Sequence, residues 1–399
     1  MNGTESMSET KSYRKYKYLN FLPHQRTWAE IDIRALEHNY KLLVEHIRKS
    51  SPDCKPMCVV KADAYSHSMG ACVPALIDSG ADFFAVSSLE EALAVKEIAS
   101  QKGADVRVLI LGYTLPSEAE LLVEHGITQT VFSLEYAKEL DAAISTGKKL
   151  SVHIKLDTGM NRLGFGTWDS EFDNTVNSIT SLVALDHLSP CGIFTHFARA
   201  DEKSAALTEL QAQRYISMLD ALQKRGITFS ERHLCNSAAS IENKEYHFDM
   251  VRLGIVLYGI SPSDEVKLDG LIPVMRLKTI VSHIHTLSPG ETVSYGGHFS
   301  SNRPITLATL PIGYADGFPR ACTGGFVRVR DKDAKIVGNI CMDQCMIDIT
   351  DCKDVQVGDT VTVYADTPEY IENFARLAST IPYELVCLVS GRVPRIIIE

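Results

Sequence analysis

The stretch MCVVKADAYSHSMGACVPALIDSGADFFAVSSLEEALAVKEIASQKGADVRVLILG, residues 57–112, decides the fold. It holds three short apolar runs, MCVVKA (57–62), DFFAVSS (82–88) and VRVLILG (106–112). Runs this continuous in apolar residues suit strands buried on both faces. Between them lie longer stretches with helical spacing, such as LEEALAVKEIASQ (89–101). The order is strand, helix, strand, helix.

Working outward, the same alternation continues. Further apolar runs are TQTVFS (128–133), SVHIKLD (151–157), CGIFTHF (191–197), RHLCN (232–236) and DMVRLG (249–254). Gly80, Gly103, Gly126 and Gly226 each follow a helical stretch, where a left-handed C-cap is expected. Eight β-then-α units predict a (β/α)8 TIM-type barrel over residues 27–273. A doubly wound open sheet is the alternative, although no G-x-G-x-x-G turn follows the first strand.

After about residue 273 the period changes from helical to two. LKTIVSHIH (277–285), FVRVR (326–330) and VTVYA (361–365) alternate apolar and polar, with turn signals at SPGE, RDKDA and KDVQVGD. This predicts a mainly antiparallel β domain over 274–399. One late helix, PEYIENFARLAST, interrupts it. Residues 1–26 read as a flexible N-terminal extension, polar and basic, without the apolar core of a signal peptide.

The chain has 399 residues, 45% hydrophobic and 23% charged, an ordinary globular composition. Its net charge of −10 argues against nucleic acid or an anionic membrane as partner. No apolar run approaches the roughly 18 residues of a membrane span. The ten cysteines include no Cys-x-x-Cys pair and sit mostly in apolar runs. Buried free thiols in a reducing cytoplasm are the expectation, with no metal site.

A barrel places catalytic residues at the C-terminal ends of its strands. Lys61 ends the first strand, Arg162 follows the fifth and His196 ends the sixth. Asn236 and Ser237 follow the seventh; Arg252, Gly254 and Ile255 close the eighth. The loops after strands seven and eight commonly hold a phosphate. A lysine at the same mouth suggests pyridoxal 5'-phosphate held as a Schiff base.

Ten stretches in order resemble the alanine racemases, fold-type III pyridoxal-phosphate enzymes. They are TWAEIDIRALEHN (27–39), VVKADAYSHS (59–68), KLDTGMNRLGFG (155–166), THFARAD (195–201), HLCNSAA (233–239), VRLGIVLYG (251–259), VSYGG (293–297), IGYADGFPR (312–320), CMDQCMID (341–348) and YELVCLVSGRVPR (383–395). Ser66, Ser68 and Asn161 stand where the family usually has glycine, which puts local backbone geometry in question.

The resemblance implies interconversion of L- and D-alanine by two bases, supplying D-alanine for peptidoglycan. It makes Lys61 the cofactor lysine and one catalytic base, and Tyr295 the other. Tyr65, Ser237, Gly254, Ile255 and Tyr383 resemble the phosphate-binding set, and Asn236 lies beside them. Arg252 resembles the arginine facing the pyridine nitrogen, and His196 the histidine beside the ring, with His233 supporting it. Arg162 resembles the substrate-carboxylate ligand, and Lys155 a lysine often carbamylated. Met342 and Asp343, like Tyr295, resemble groups donated to a partner subunit, which implies a homodimer with shared active sites. Tyr314, Asp201 and Arg320 resemble entrance residues. A serine or broad-specificity amino-acid racemase is the competing reading.

Overall fold

A computed structural model describes residues 26–145, 147–203, 205–364 and 367–399. Residues 1–25 of the expected extension lie outside the described residues. The chain divides into two compact units, one spanning Asp32–Met275 and the other built chiefly from Arg276 onward together with the strand before Asp32.

The first unit is the barrel. Its strands are β2 (Lys55–Val59), β3 (Phe83–Val86), β4 (Arg107–Ile110), β5 (Ile127–Val131), β6 (Leu150–Asp157), β8 (Leu188–Phe194), β9 (Glu231–His233) and β10 (Met250–Leu253). A two-residue strand, β7 (Phe165–Gly166), pairs only with β6. Parallel ladders run β10-β2-β3-β4-β5-β6-β8-β9. β10, last in sequence, lies against β2, first in sequence, so the sheet curls round on itself. The seam between β9 and β10 is bridged by Arg252 N–H to Cys235 O at 3.0 Å and by the Arg232–Asp249 ion pair at 2.7 Å. An open doubly wound sheet would leave two free edges instead.

The apolar runs are strands for the expected reason. All four residues of β3 are buried, as parallel strands covered on both faces must be. Helices cover the outside through apolar stripes. In the helix Ile33–Ser50, Leu36, Tyr40, Leu43 and Ile47 are buried at helical spacing, and the Asp32 carboxylate caps the first turn. Gly80 and Gly226 close their helices at φ 96° and 74°.

The second unit carries β1 (Thr27–Asp32) and the strands β11 (Met275–Ile280), β12 (His283–Leu287), β13 (Thr292–Val293), β14 (Phe299–Ser300), β15 (Ile305–Leu310), β16 (Phe326–Val329), β17 (Lys332–Val337), β18 (Cys345–Asp348), β19 (Thr360–Tyr364) and β20 (Arg395–Ile398). Its main sheet runs β12-β15-β18-β17-β16-β19-β11-β1-β20, and the ladders among β11, β12, β15, β16, β17, β18 and β19 are antiparallel.

Three features differ from the sequence reading. Residues 27–31 belong with this sheet rather than with the barrel, because Thr27 hydrogen-bonds Thr279 at 3.0 Å and the Pro311 carbonyl at 2.9 Å. Arg26 is tied down as well, at 2.7 Å from the buried Asp316 carboxylate. A second late helix, Pro382–Leu388, follows Pro368–Leu377. It is only seven residues long, too short to show a helical period in the sequence.

Among the described residues no helix is long and apolar enough to cross a membrane. All ten cysteines are free thiols.

Candidate active site

Lys61 does not end a strand. β2 stops at Val59, and Lys61 opens a turn, Lys61–Tyr65, wound largely in the left-handed sense. Ala62, Asp63, Ala64, Tyr65 and Ser66 have φ between 53° and 63°, and Ser68 has φ 72°. Left-handed backbone costs a non-glycine residue roughly 1–2 kcal/mol, so neighbouring groups must hold it. The Glu91 carboxylate accepts from Ala62 N–H at 2.6 Å and from Ser87 N–H at 2.8 Å. Asp63 accepts from Met69 N–H at 2.6 Å. The Tyr258 ring lies 5.0 Å from Tyr65 and 4.5 Å from His67, with its hydroxyl donating to Val59 O. Ser66, Ser68 and Asn161 (φ 54°) fall where glycine would sit without strain.

The turn delivers Tyr65 to a cradle. Asn236 caps the helix Ser237–Glu242, its side-chain oxygen accepting from Ala239 N–H at 3.1 Å. Ser237 Oγ accepts from Gly254 N–H at 2.9 Å. A Cβ at Gly254 would stand 2.9 Å from Tyr65 Oη and 3.3 Å from Ser237 Oγ, so two hydroxyls converge on bare backbone there. Ile255 begins a 3₁₀ turn at the same point. Hydroxyls and amides converging in a buried recess are a fit for a phosphate group.

Arg252 is buried at 3% exposure. Its Nη2 donates to Thr195 O at 2.9 Å, Leu234 O at 3.0 Å and His196 Nδ1 at 3.2 Å. Its Nη1 donates to His233 Nδ1 at 2.8 Å. Because a guanidinium only donates, His233 must accept at Nδ1 and carry its proton on Nε2. That proton goes to His153 Nδ1 at 2.9 Å, and His153 Nε2–H goes to Glu231 at 2.8 Å. Arg107 holds the other Glu231 oxygen. Each link has one donor and one acceptor. Burial, then the Arg252 charge, hold His196 and His233 well below the usual imidazole range. Arg252, pulled down to about 10 by burial, keeps its charge at neutral pH. Donors that meet no acceptor among the described residues remain on its Nε and Nη1, which suits a pyridine nitrogen.

Lys155 is 5% exposed and donates to Leu156 O at 2.6 Å and Leu163 O at 3.2 Å. Burial pulls it down to about 7, with Arg252 and Arg162 adding to the effect. The Asp157 carboxylate shapes the following loop, accepting from Gly159, Asn161 and Arg162 amides at 2.9, 3.0 and 3.1 Å. After burial, the charges of Arg252, Arg162, Lys155 and Lys61 all hold His196 down, so four basic side chains act on one imidazole. Such a mouth suits an anionic ligand.

The barrel therefore brings together Lys61, Tyr65, Lys155, Arg162, His196, Asn236, Ser237, Arg252, Gly254 and Ile255. Asp201 is an exposed residue of the same unit, its carbonyl accepting from Ser263 at 2.5 Å. In the second unit, Tyr295 is 68% exposed on the turn Tyr295–Gly297. Asn339 Nδ2 donates to its carbonyl at 2.6 Å, and Ser294 beneath it donates to Asn339 O at 2.6 Å. Met342 and Asp343 line the same groove, and Arg392 holds Asp343 at 2.6 Å. Tyr314 N–H bonds Cys341 O at 3.1 Å, next to Met342. Arg320 opens a short exposed turn, and Tyr383 lies in the helix Pro382–Leu388. His153, Glu231, Thr195 and Glu91 were not singled out from the sequence.

Two outcomes follow from this geometry. Replacing His233 by Phe leaves a buried guanidinium donor unmatched and should cost about 3 kcal/mol in urea unfolding. His283→Phe, on the exposed edge strand β12, should leave the midpoint in place. Equal midpoints for the two variants would refute the buried chain. Replacing Ser66 and Ser68 together by Gly should stabilise by about 1 kcal/mol, or raise Tm by about 2–4 °C. A lower Tm would show that the turn is not left-handed.

Residues 31–262 match the family model described as alanine racemase, N-terminal domain, and residues 274–397 match the C-terminal domain of the same family. An alanine racemase of Methanococcus maripaludis is 42% identical over 375 residues, 92% of this chain and 98% of that protein. That of Desulforamulus reducens is 40% identical over 376 residues, 93% and 98% of the two chains. The structure of the Clostridium difficile enzyme superposes with a TM-score of 0.85 at 37% identity, covering 95% of this chain and 97% of that one. A structure of that enzyme is also known in complex with cycloserine, with a TM-score of 0.82 at 36% identity and coverage of 94% and 96%. With both domains matched in order and a fold shared along nearly its whole length, the chain belongs to the alanine racemase family of isomerases.

Proposed function

We propose that the protein interconverts L- and D-alanine on pyridoxal 5'-phosphate, using Lys61 and Tyr295 as the two bases. The observation that carries this is the buried Arg252, bonded to His196 at 3.2 Å, together with the Tyr65–Ser237–Gly254 cradle. Lys61 would hold the cofactor, and the cradle with Ile255 its phosphate. Bound there, the cofactor supplies an electron sink that makes the alanine α-proton acidic.

The residues supply the rest. Racemisation removes a proton from one face of Cα and returns one to the other, so two acid–base groups on opposite faces are needed. The Lys61 amine serves one face. Tyr295 of the partner subunit serves the other in a homodimer with shared sites, and its 68% exposure supports that use. Arg162 binds the substrate carboxylate, and Met342 and Asp343 of the partner subunit border it. His196, held neutral, would line the site of the cofactor's ring. The product, D-alanine, would serve peptidoglycan synthesis in the cytoplasm, where free thiols such as the ten here persist.

Arg252 sets the reaction type. A permanent cation against the ring nitrogen disfavours its protonation. Negative charge is then spread less widely, which favours prompt return of the proton to Cα. Arg252→Glu should lower racemisation and yield pyruvate as a side product. Loss of racemisation with no pyruvate would sink this explanation.

Lys155 is the proposed site of carbamylation, which requires the free amine. With its proton lost at about pH 7, that form is abundant in neutral solution. Uptake of ¹³C-labelled bicarbonate, read as a carbamate NMR signal, should rise as pH passes upward through about 7 and vanish in Lys155→Arg. A signal that persists in that variant places the carbamate elsewhere.

The central test is direct. Borohydride reduction of the yellow holoenzyme should leave cofactor covalently attached to Lys61, and the unreduced enzyme should convert L-alanine to D-alanine in preference to L-serine. A protein that takes up no pyridoxal phosphate overturns the reading.

A further inference from the structure

We infer that the floor of the barrel holds a binding site for a zinc-type divalent cation, formed by His153, Cys191 and Glu231. The His153 Nε2, Cys191 Sγ and a Glu231 carboxylate oxygen lie within 4.8 Å of one another. They belong to β6, β8 and the first residue of β9, away from the strand ends that carry Lys61, His196 and Arg252.

The backbone is shaped to gather them. Val152 faces Pro190 while His153 faces Gly192, so Cys191 is an extra residue at a register shift. A bulge of this kind re-aims a side chain. At Gly192 a Cβ would stand 2.5 Å from the His153 ring, so the ring fills space that only glycine leaves. His153 is fully buried and oriented through its other nitrogen, Nδ1, by His233 at 2.9 Å. A metal-binding histidine normally donates from its other nitrogen, so binding here requires the His153 proton to move from Nε2 to Nδ1. Cys191 and Glu231 are partly exposed and give the ion a way in.

The donor set selects the cation. Thiolate, imidazole and carboxylate suit zinc and its neighbours, with water as a fourth ligand, and not magnesium or calcium. One thiolate and one carboxylate balance a dication. Arg107 pairs with Glu231 and lies 4.1 Å over the Phe83 ring, its side chain 41% exposed, so the ion would share Glu231 with it.

Occupancy would also be felt at the cofactor. The metal takes the lone pair of His153 Nε2, so that proton moves to Nδ1, and the Cys191 thiol proton leaves to solvent. His153 Nδ1 then donates to His233 Nε2. The His233 proton must sit on Nδ1, facing the Arg252 N–H that it formerly accepted. Two donors now oppose each other, so metal on the floor loosens Arg252 at the mouth. By linkage, events at Arg252 alter metal affinity equally.

The test uses holoenzyme in a His283→Ala/His285→Ala background, which removes the exposed stacked pair on β12 as a competing ligand. Zinc is titrated against a chromophoric chelator. One equivalent per chain is expected, weakened at least about tenfold by Cys191→Ser and by Cys191→Ala. Both variants should keep basal racemase activity, and zinc should shift the cofactor's visible absorbance only when Cys191 is present. No stoichiometric binding, or binding indifferent to both substitutions, overturns the site. Binding that depends on Cys191 without a spectral shift keeps the site and overturns the coupling, which alone rests on the proposed cofactor function.

Discussion

A buried guanidinium organises the barrel interior. Arg252 keeps its charge at 3% exposure, and a buried cation is tolerated only when acceptors surround it. The structure meets that demand with two carbonyls and two imidazole nitrogens. Because arginine cannot accept, both histidines are forced into one tautomer and kept neutral. The order passes outward through His153 to Glu231, and the Phe194 ring, stacked on His233 at 4.7 Å, lies 5.4 Å from the guanidinium. Much of the polar interior is thereby specified by one residue on β10.

The same charge sets the protonation of its neighbours at the mouth. His196 stays neutral beside these basic groups, so it adds no further cation. Lys155 sheds its proton near neutrality for a related reason, since burial and two guanidinium groups all disfavour its charge. Arg162, exposed on its loop, carries positive charge out to solvent.

The fold was legible because parallel strands buried on both faces read as short apolar runs, and the eight runs correspond to the eight principal barrel strands. Lys61, Arg252 and Ser237 stood out as polar residues within or just after the apolar runs. The interior chain was harder to see. His153, Lys155 and Asp157 alternate along β6, as do Glu231 and His233 across β9, a period-two polar pattern inside barrel strands. That pattern was available as a signal, but which residues meet across the barrel depends on register. The left-handed turn was also hidden, because ADAYS contains no glycine to announce positive φ. The tertiary bonds from Glu91 and Asp63 impose it. Strand β1 was misassigned because a strand preceding a helix looks the same in either sheet.

The serines of that turn have a consequence for motion. Glycine at positions 66 and 68 could wander between right- and left-handed wells, whereas serine has fewer wells to visit and a higher barrier around each. A glycine hinge would let the segment after Lys61 flex on the timescale of loop motion. Here the segment is a stiff strut, held at both ends by carboxylates, and the reach of the lysine is left to its four methylenes alone. Its amine can swing while its Cα does not, which confines any exchange of position at the barrel mouth to side-chain rotation.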